Sequence, residues 1–219
     1  MLLLCLADIH GDAAGLKAIL PEVPPVDLVV VAGDITQLGG KAEALIVLEP
    51  FLESGTRIMA VAGNMDRGAA REFLVERQID IHGRGIIKDG VGFMGLGGGT
   101  RSPFATPWEL SDEEAATLLA AGHGDVAGAG CIVLVSHAPP RDTEIDCIRT
   151  GLHAGSAAVR SFLLSNRVDL CISGHIHEAG GRETDLGGCL CVNVGPFKAE
   201  RYALIEIGES KPSVTWRNR

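Results

Sequence analysis

Side chains that suit a divalent metal stand just after five short apolar segments of this chain. They are aspartate, asparagine and histidine residues: Asp8, His10, Asp34, Asn64, Asp66, His137, His175 and His177. Mixed oxygen and nitrogen donors of this kind favour transition metals such as Mn, Fe or Zn. A bound divalent metal can activate water and polarise a phosphoryl oxygen, so metal-assisted hydrolysis is the first chemistry to consider.

The apolar segments are the elements that must bring these side chains together. They span residues 2–7, 28–32, 58–62, 131–135 and 170–173, and we expect each to form a buried strand. Helices are expected between them at 13–20, 41–53, 68–77 and 156–164. The carboxyl ends of parallel strands share one edge of a sheet, where ligands bind. Asp8 and His177 could therefore meet although they are far apart in the chain.

The middle and the end of the chain are expected to contain further strands. Residues 83–95 suggest two strands joined by a turn at 88–90, and a glycine-rich loop follows at 97–103. Ser111 with Glu114 three residues later matches a capping box at the start of a helix. Residues 188–194, 202–207 and 213–216 suggest antiparallel strands. The pattern alone predicts a parallel α/β half, an antiparallel tail and one domain over residues 1–219.

Composition limits the classes of partner. The formal charge of −9 is the opposite of the basic surface with which a protein grips long nucleic acid. Small phosphorylated substrates stay compatible, because bound cations reverse the local field. The longest apolar segments are shorter than the ~20 residues that span a bilayer, so no membrane partner is expected. The six cysteines are interpreted as reduced thiols, which predicts a cytoplasmic location.

Five sequence blocks carry a resemblance. They are Asp8-Ile9-His10, Gly33-Asp34, Gly63-Asn64-Met65-Asp66, Ser136-His137 and Gly174-His175-Ile176-His177. Their order and spacing resemble the calcineurin-like metallophosphoesterase family over nearly the whole chain. Residues 136–156 and the C-terminal part are similar to the Icc-related predicted phosphoesterases within it. The resemblance implies an α/β sandwich of two mixed β-sheets flanked by helices, and hydrolysis of a phosphodiester or activated phosphomonoester.

The resemblance also implies a site with two divalent metal ions, Mn above all, with Fe, Zn or Ni as alternatives. Asp8, His10 and His177 would hold the first ion, and Asn64, His137 and His175 the second. Asp34 would bridge the two ions, and a hydroxide between them would be the nucleophile. The residues expected to take part in catalysis are Asp34, Asn64, His137 and His153. Arg67, Arg101 and the amide of Asn64 are candidates for contacts with the substrate phosphate.

Met65 is the one departure from the family pattern. The family's usual third block carries a histidine at this position, to which protonation of the leaving group is assigned. A thioether cannot donate a proton, so we expect either a preference for good leaving groups or a substitute acid. His153, in the loop 151–156, and Asp66 are the substitutes considered. An ordinary loop histidine without a catalytic role is the alternative for His153.

A binding or scaffold module on the same fold is the alternative function. The presence of all the implied ligands favours an enzyme, because a scaffold has no need to keep them. We expect a small phosphorylated substrate, and the β-rich C-terminal tail could support a homo-oligomer. The loop 97–107 could act as a lid.

Overall fold

The strands predicted for the first half form the centre of one sheet. The computed structural model describes residues 1–198, 201–208 and 210–218. Strands β1 (Leu2–Leu6), β2 (Leu28–Ala32) and β3 (Ile58–Val61) are parallel and alternate with helices α1 (Ala13–Ile19), α2 (Lys41–Ser54) and α3 (Gly68–Glu76). The first sheet is completed by β12 (Tyr202–Glu206), antiparallel to β1, and by the edge strand β13 (Ser213–Arg217).

The second sheet has parallel strands at its centre and antiparallel strands at its edges. Its order is β10-β11-β9-β8-β5-β4. The parallel strands are β5 (Val91–Leu96), β8 (Cys131–Ser136), β9 (Leu170–Ser173) and β11 (Cys189–Asn193). The edges are β4 (Gly85–Lys88) and β10 (Arg182–Leu186). Helices α4 (Asp112–Val126) and α5 (Ala157–Ser165) cover it, and β6 (Gly99–Thr100) pairs with β7 (Glu109–Leu110) beside it.

Alternation along the strands produces the layers. In β1, Leu3 and Cys5 lie in the apolar core between the two sheets, whereas Leu4 and Leu6 lie in the core under α1, α2 and α3. A third core lies between the second sheet and helices α4 and α5. Because successive side chains point to opposite faces, strands buried on both faces read as continuous apolar runs. The expected sandwich of two mixed sheets flanked by helices is confirmed.

The tail of the chain differs from the pattern-based expectation. The segment 188–194 was expected to be antiparallel, but β11 lies parallel to β9, with Leu190 opposite Leu170. Its antiparallel partner is β10, a polar segment that the sequence pattern did not identify. The other tail strands join the first sheet instead. Within the described residues, no helix is both long and apolar enough to cross a membrane.

Candidate metal centre

The loops that follow β1, β2, β3, β8 and β9 meet at one edge of the two sheets. Backbone hydrogen bonds extend the strand pairing into these loops. The N–H of Asp8 donates to the carbonyl of Gly33 at 3.0 Å, and the N–H of Gly174 donates to that of His137 at 3.1 Å. All seven implied metal ligands lie on these loops, so the edge collects side chains from both sheets.

Asp8, His10 and His177 form the first group of donor atoms. One ligand atom from each lies within 4.8 Å of the others. The Nε2 atoms of His10 and His177 face each other at 3.2 Å, and Nε2 of His177 is 3.6 Å from Oδ1 of Asp8. Nδ1 of His10 is buried and has no hydrogen-bond partner among the described residues. Two ring nitrogens and a carboxylate directed at one point form a donor set that fits a divalent transition metal.

Asp34 lies between this group and a second one. Its Oδ2 is 3.8 Å from Nε2 of His10, and its Oδ1 is 3.4 Å from Nε2 of His137. Oδ1 of Asn64 is 2.9 Å from the same His137 nitrogen, and the His175 ring lies 4.9 Å from the His137 ring. Each oxygen of Asp34 thus faces a different histidine, so the carboxylate is placed between the two groups of donor atoms.

The electrostatics of the second group favour positive charge at Nε2 of His137. Burial alone would lower the pKa of His137, but the negative charge and hydrogen bond of Asp34 raise it to about 9. Burial likewise opposes ionisation of Asp34, yet His137 and the N–H of Met65 bring its pKa down to about 2. Nδ1 of His137 lies 2.9 Å from the carbonyl of Ala32, which directs Nε2 toward the two oxygens. The same atoms would surround a divalent ion.

His175 has the opposite electrostatic environment. Burial and the charge of His137 lower its pKa to about 4, so its ring is neutral near pH 7. Neutral imidazole is the form that binds metals. Its backbone N–H donates to both carboxylate oxygens of Asp8, at 3.1 and 3.0 Å, and fixes that ligand.

Backbone strain is concentrated at the same place. Asp8, His10, Asp34 and His175 have φ angles of 51°, 49°, 50° and 67°. These values lie in the left-handed region, which non-glycine residues rarely adopt and which costs of order 1–3 kcal/mol each. Strain of this kind persists where the surrounding structure holds a functional geometry.

Gly33 is required by the close approach of the loops. Its φ is +90°, and an added Cβ would lie 2.3 Å from Nδ1 of His137 and 2.9 Å from Cα of Gly63. Any other residue would displace His137 or the β3 loop. The glycine therefore permits the two sheets to bring Asp34 and His137 together.

The remaining candidate residues, Arg101, His153 and Arg67, do not all line the same cavity. Arg101 and His153 line a cavity of about 680 Å³ together with Asn64 and His175. Arg67 is exposed at the start of α3 and is not part of that lining, so its contact with substrate stays a prediction. A larger open depression of about 1120 Å³ lies elsewhere and is lined by Met1, Arg57 and Lys88, among others, but by none of the candidates.

The surroundings of Asp66 do not suit the role of a substitute acid. It is fully buried, and its carboxylate accepts hydrogen bonds from the N–H groups of Ile35, Thr36 and Gly63 and from the Thr36 hydroxyl. These donors occupy both oxygens. Asp66 instead joins the loops after β2 and β3.

The loop 97–107 is held at several points. Gly99 lies against Asn64 and His175, and an added Cβ would be 2.9 Å from Cβ of Asn64. The carboxylate of Glu109 accepts hydrogen bonds from the backbone and hydroxyl groups of Ser102 and Thr106. A closing movement of this loop stays a prediction.

Two buried polar residues lie near the site: Asp146 was missed in the sequence, and the segment 193–196 was expected to contribute backbone shape rather than a side-chain contact of Asn193. Asp146 is fully buried and lies 2.6 Å from Nδ1 of His153. Asn193 is also fully buried, and its amide donates to the carbonyls of Ile145 and Ile176 at 3.0 Å. No metal-binding spacing marks either residue. A turn-forming polar stretch around Asp146 and the Asn193-Val194-Gly195-Pro196 segment are the only local signals.

A model of the calcineurin-like phosphoesterase family matches residues 1–179. The chain belongs to this family. Family members are metal-dependent, so the general activity of the chain is metal-dependent hydrolysis of phosphoesters. A protein of Methanocaldococcus jannaschii, itself uncharacterized, is 30% identical over 195 residues, which are 87% of this chain and 86% of that protein.

Solved structures of other proteins show the same fold. A Thermus thermophilus protein has a TM-score of 0.76 at 15% identity, and the match covers 99% of this chain and 98% of that protein. A predicted phosphoesterase from Streptococcus pneumoniae has a TM-score of 0.51 at 16% identity, covering 99% and 88%. A purple acid phosphatase from yellow lupin has a TM-score of 0.59 at 12% identity, covering 100% and 51%.

Proposed function

We propose that the chain hydrolyses a phosphodiester or an activated phosphomonoester at a dinuclear metal centre. The observation that carries this proposal is the placement of Asp34, with one oxygen facing His10 and the other facing His137. His10 belongs to a donor cluster with Asp8 and His177, and His137 belongs to one with Asp8 and Asp34, so Asp8 is common to both. The ligands proposed are the seven implied by the motifs: Asp8, His10, Asp34, Asn64, His137, His175 and His177.

The chain's own groups would bind and orient the phosphate. Two divalent ions, when bound, supply a water of lowered pKa and neutralise charge on the phosphoryl oxygens. Because Oδ1 of Asn64 faces His137, its amide nitrogen is turned away and can donate to a phosphoryl oxygen. The guanidinium of Arg101 lines the same cavity and suits a second phosphoryl oxygen.

The metal that we propose is manganese, with iron, zinc or nickel as alternatives. Carboxylate, carboxamide and imidazole ligands together accept all of these ions, so availability would decide among them. We propose a small phosphorylated substrate, since the acidic chain lacks a basic surface for long nucleic acid. A cytoplasmic location and a homo-oligomer stay predictions.

The test is hydrolysis of bis-p-nitrophenyl phosphate and p-nitrophenyl phosphate by metal-stripped protein after Mn²⁺ is added back. We expect Mn²⁺-dependent turnover that is faster on the diester. Asp34→Ala should lower kcat/KM about 10³-fold, because a bridging ligand supports several kcal/mol of transition-state stabilisation. Asp89→Ala, at an exposed turn between β4 and β5, is the matched control and should keep full activity.

Metal content separates the alternatives. Two ions bound per chain without turnover on either ester would support the scaffold function and contradict the proposed hydrolase. Failure of the stripped protein to bind any divalent ion would contradict the metal centre itself. Both results are read by elemental analysis alongside the rate assay.

A further inference from the structure

The cavity beside the metal-ligand cluster lies between two loops. One loop contributes Arg101 and Phe104, and the other contributes Ile148 and His153. Asn64 and His175 line the same space, so the cavity opens from the proposed phosphate site. Its volume of about 680 Å³ is within the range of small-molecule pockets. Phe104 is 83% exposed, although aromatic residues are scarce in this chain.

A buried carboxylate organises the second loop. Asp146 is fully buried, and its oxygens accept hydrogen bonds from the N–H groups of Asp142, Thr143 and Gly155, at 3.1, 2.8 and 3.0 Å. These bonds close the loop around the carboxylate. The carboxylate also contacts the Thr143 hydroxyl, at 3.4 Å, and His153.

This contact sets the orientation of His153. Nδ1 of its ring lies 2.6 Å from Oδ1 of Asp146, so this nitrogen carries a proton and donates to the carboxylate. Nε2 has no hydrogen-bond partner among the residues that the structure describes. The side chain is 38% exposed and also borders a second open cavity of about 540 Å³. The free nitrogen can therefore exchange protons with solvent.

Asn193 and Thr100 connect the loop to the metal ligands. The Asn193 amide bonds the carbonyl of Ile145, next to Asp146, and that of Ile176, between His175 and His177. The Thr100 hydroxyl donates to the carbonyl of Ala154, next to His153, at 3.4 Å. The position of His153 is thereby fixed relative to the ligand cluster.

We propose that this cavity receives the leaving alcohol of a phosphodiester and that His153, positioned by Asp146, protonates it. The inference rests on the proposed function. As the oxygen of a hydroxide derived from water forms its bond to phosphorus, the bond from phosphorus to the leaving oxygen breaks, and the electron pair of that bond goes to the leaving oxygen. The proton on Nε2 of the imidazolium moves to the same oxygen, which leaves as a neutral alcohol. His153 is left neutral, with Nδ1–H still donated to Asp146, and regains a proton from solvent.

The proposal defines the class of substrate. A protein with this proton donor is not restricted to activated esters in spite of Met65, because His153 supplies what the thioether cannot. The lining adds apolar surface from Phe104 and Ile148, and its charged residues are of both signs: Arg101 and Arg141 with Asp112, Glu113 and Glu178. The expected substrate is a phosphodiester of a bulky, unactivated alcohol.

The test compares leaving groups on one scaffold. Methyl phosphodiesters of p-nitrophenol, phenol and benzyl alcohol are assayed with Mn²⁺-loaded wild type and His153→Gln. We expect the variant to be within about threefold of wild type on the p-nitrophenyl ester, whose leaving group needs no proton. On the benzyl ester, kcat should fall 10²–10⁴-fold. His123→Gln, on α4 outside the cavity, is the matched control and should change neither rate.

Two further readouts separate proton donation from a structural role. Added imidazole should restore benzyl ester hydrolysis by His153→Ala, but not by an inactive Asp34→Ala. In metal-free protein, ¹⁵N NMR should show neutral His153 as the Nδ1–H tautomer in wild type and mainly as the Nε2–H tautomer in Asp146→Asn. The tautomer measurement also applies if the Asn variant is inactive.

The outcomes distinguish the two levels of the proposal. An equal loss on all three esters in His153→Gln, without imidazole rescue in His153→Ala, would overturn the role of His153 as proton donor. Absence of hydrolysis of every ester by wild type, with metal bound, would overturn the proposed function instead. Selective loss on the benzyl ester supports both.

Discussion

Asp66 and Met65 are neighbours in the third motif, but they have different surroundings. Met65 is half-buried, and its N–H donates to Oδ1 of Asp34 at 2.8 Å. Asp66 is fully buried. Burial and the charge of Asp34 raise the pKa of Asp66, and the hydrogen bonds from Gly63 and Thr36 oppose that rise. The role of Asp66 is thus to hold the loops that carry Asp34 and Asn64.

We predict that Asp66→Asn destabilises the fold. The amide nitrogen of asparagine would face N–H donors, which leaves at least one buried donor without an acceptor. This should lower the free energy of unfolding by about 2–4 kcal/mol, measured by urea denaturation of metal-free protein. Asp89→Asn, in an exposed turn, is the matched control. A change below about 0.5 kcal/mol would contradict the structural role.

At the residue scale, the sequence predicts the functional residues that belong to a recognisable motif. The seven implied ligands lie at one edge of the sheets because each follows a strand that the apolar pattern also identified. Their assignment to metal ions stays a prediction. Asp146 and Asn193 could not be predicted, because their importance depends on which distant loops their hydrogen bonds connect. A sequence pattern does not record such contacts between loops.

At the scale of elements, the glycine-rich loop 97–103 is held in place by a small cluster of aromatic rings. The N–H of Gly97 donates to Nδ1 of His82 at 2.9 Å, and the His82 ring packs edge-on against Trp108, with ring centroids 4.8 Å apart. The backbone carbonyl of Trp108 accepts a hydrogen bond from the N–H of Gly99, and the backbone N–H of Trp108 donates to the carbonyl of Asn64. The guanidinium of Arg71 lies 4.2 Å from the Trp108 ring. Nδ1 of His82 must be unprotonated to accept the hydrogen bond from Gly97, so the folded structure requires a neutral His82 ring.

This requirement predicts a dependence of stability on pH. Burial and the positive charge of Arg71 together lower the pKa of His82 to about 4. In the unfolded chain its pKa is about 6.5. Below pH 6.5 the unfolded state therefore binds a proton that the folded state does not, and stability falls as pH decreases from about 6.5 to about 4.

The measurement compares wild type with His82→Gln by urea denaturation between about pH 7.5 and pH 4. A glutamine can still accept from Gly97 but does not titrate. The fall in unfolding free energy should be shallower in the variant by up to about 1.4 kcal/mol per pH unit. Equal slopes in wild type and His82→Gln would show that His82 is protonated in the folded state.

Most elements were predictable because their signals are local. The capping box at Ser111 is confirmed, with the Glu114 N–H donating to Ser111 Oγ at 3.2 Å and the Ser111 N–H donating to Glu114 Oε2 at 2.8 Å. The pairing of β11 was not predictable, because either direction would bury the same apolar residues. Its polar partner β10 lies at an edge, where burial imposes little pattern.

At the scale of the whole molecule, the proposed ligands are divided between the two sheets. Asp8, His10, Asp34 and Asn64 follow strands of the first sheet, and His137, His175 and His177 follow strands of the second. The apolar core between the sheets holds the two sets of proposed ligands in fixed relative positions, through fully buried residues such as Val30 and Val133. Metal ions at this edge would add a second connection between the same two sheets.

That connection predicts that metal binding stabilises the folded protein. Unfolding separates ligands that are distant in sequence, so Mn²⁺ should bind the folded state far more tightly. At a concentration 100 times Kd, one site adds about 2.7 kcal/mol, which raises Tm by roughly 5–10 °C for a domain of this size. Differential scanning calorimetry of stripped protein with increasing Mn²⁺ measures the shift.

Two variants make the interpretation specific. Asp34→Ala removes a proposed ligand whose two oxygens face His10 and His137, so its Tm should depend much less on Mn²⁺ than that of wild type. Asp89→Ala should keep the wild-type shift, because that carboxylate lies in an exposed turn. A shift of equal size in Asp34→Ala would mean that Mn²⁺ acts elsewhere on the acidic surface, and the proposed connection of the two sheets through metal ions would be contradicted.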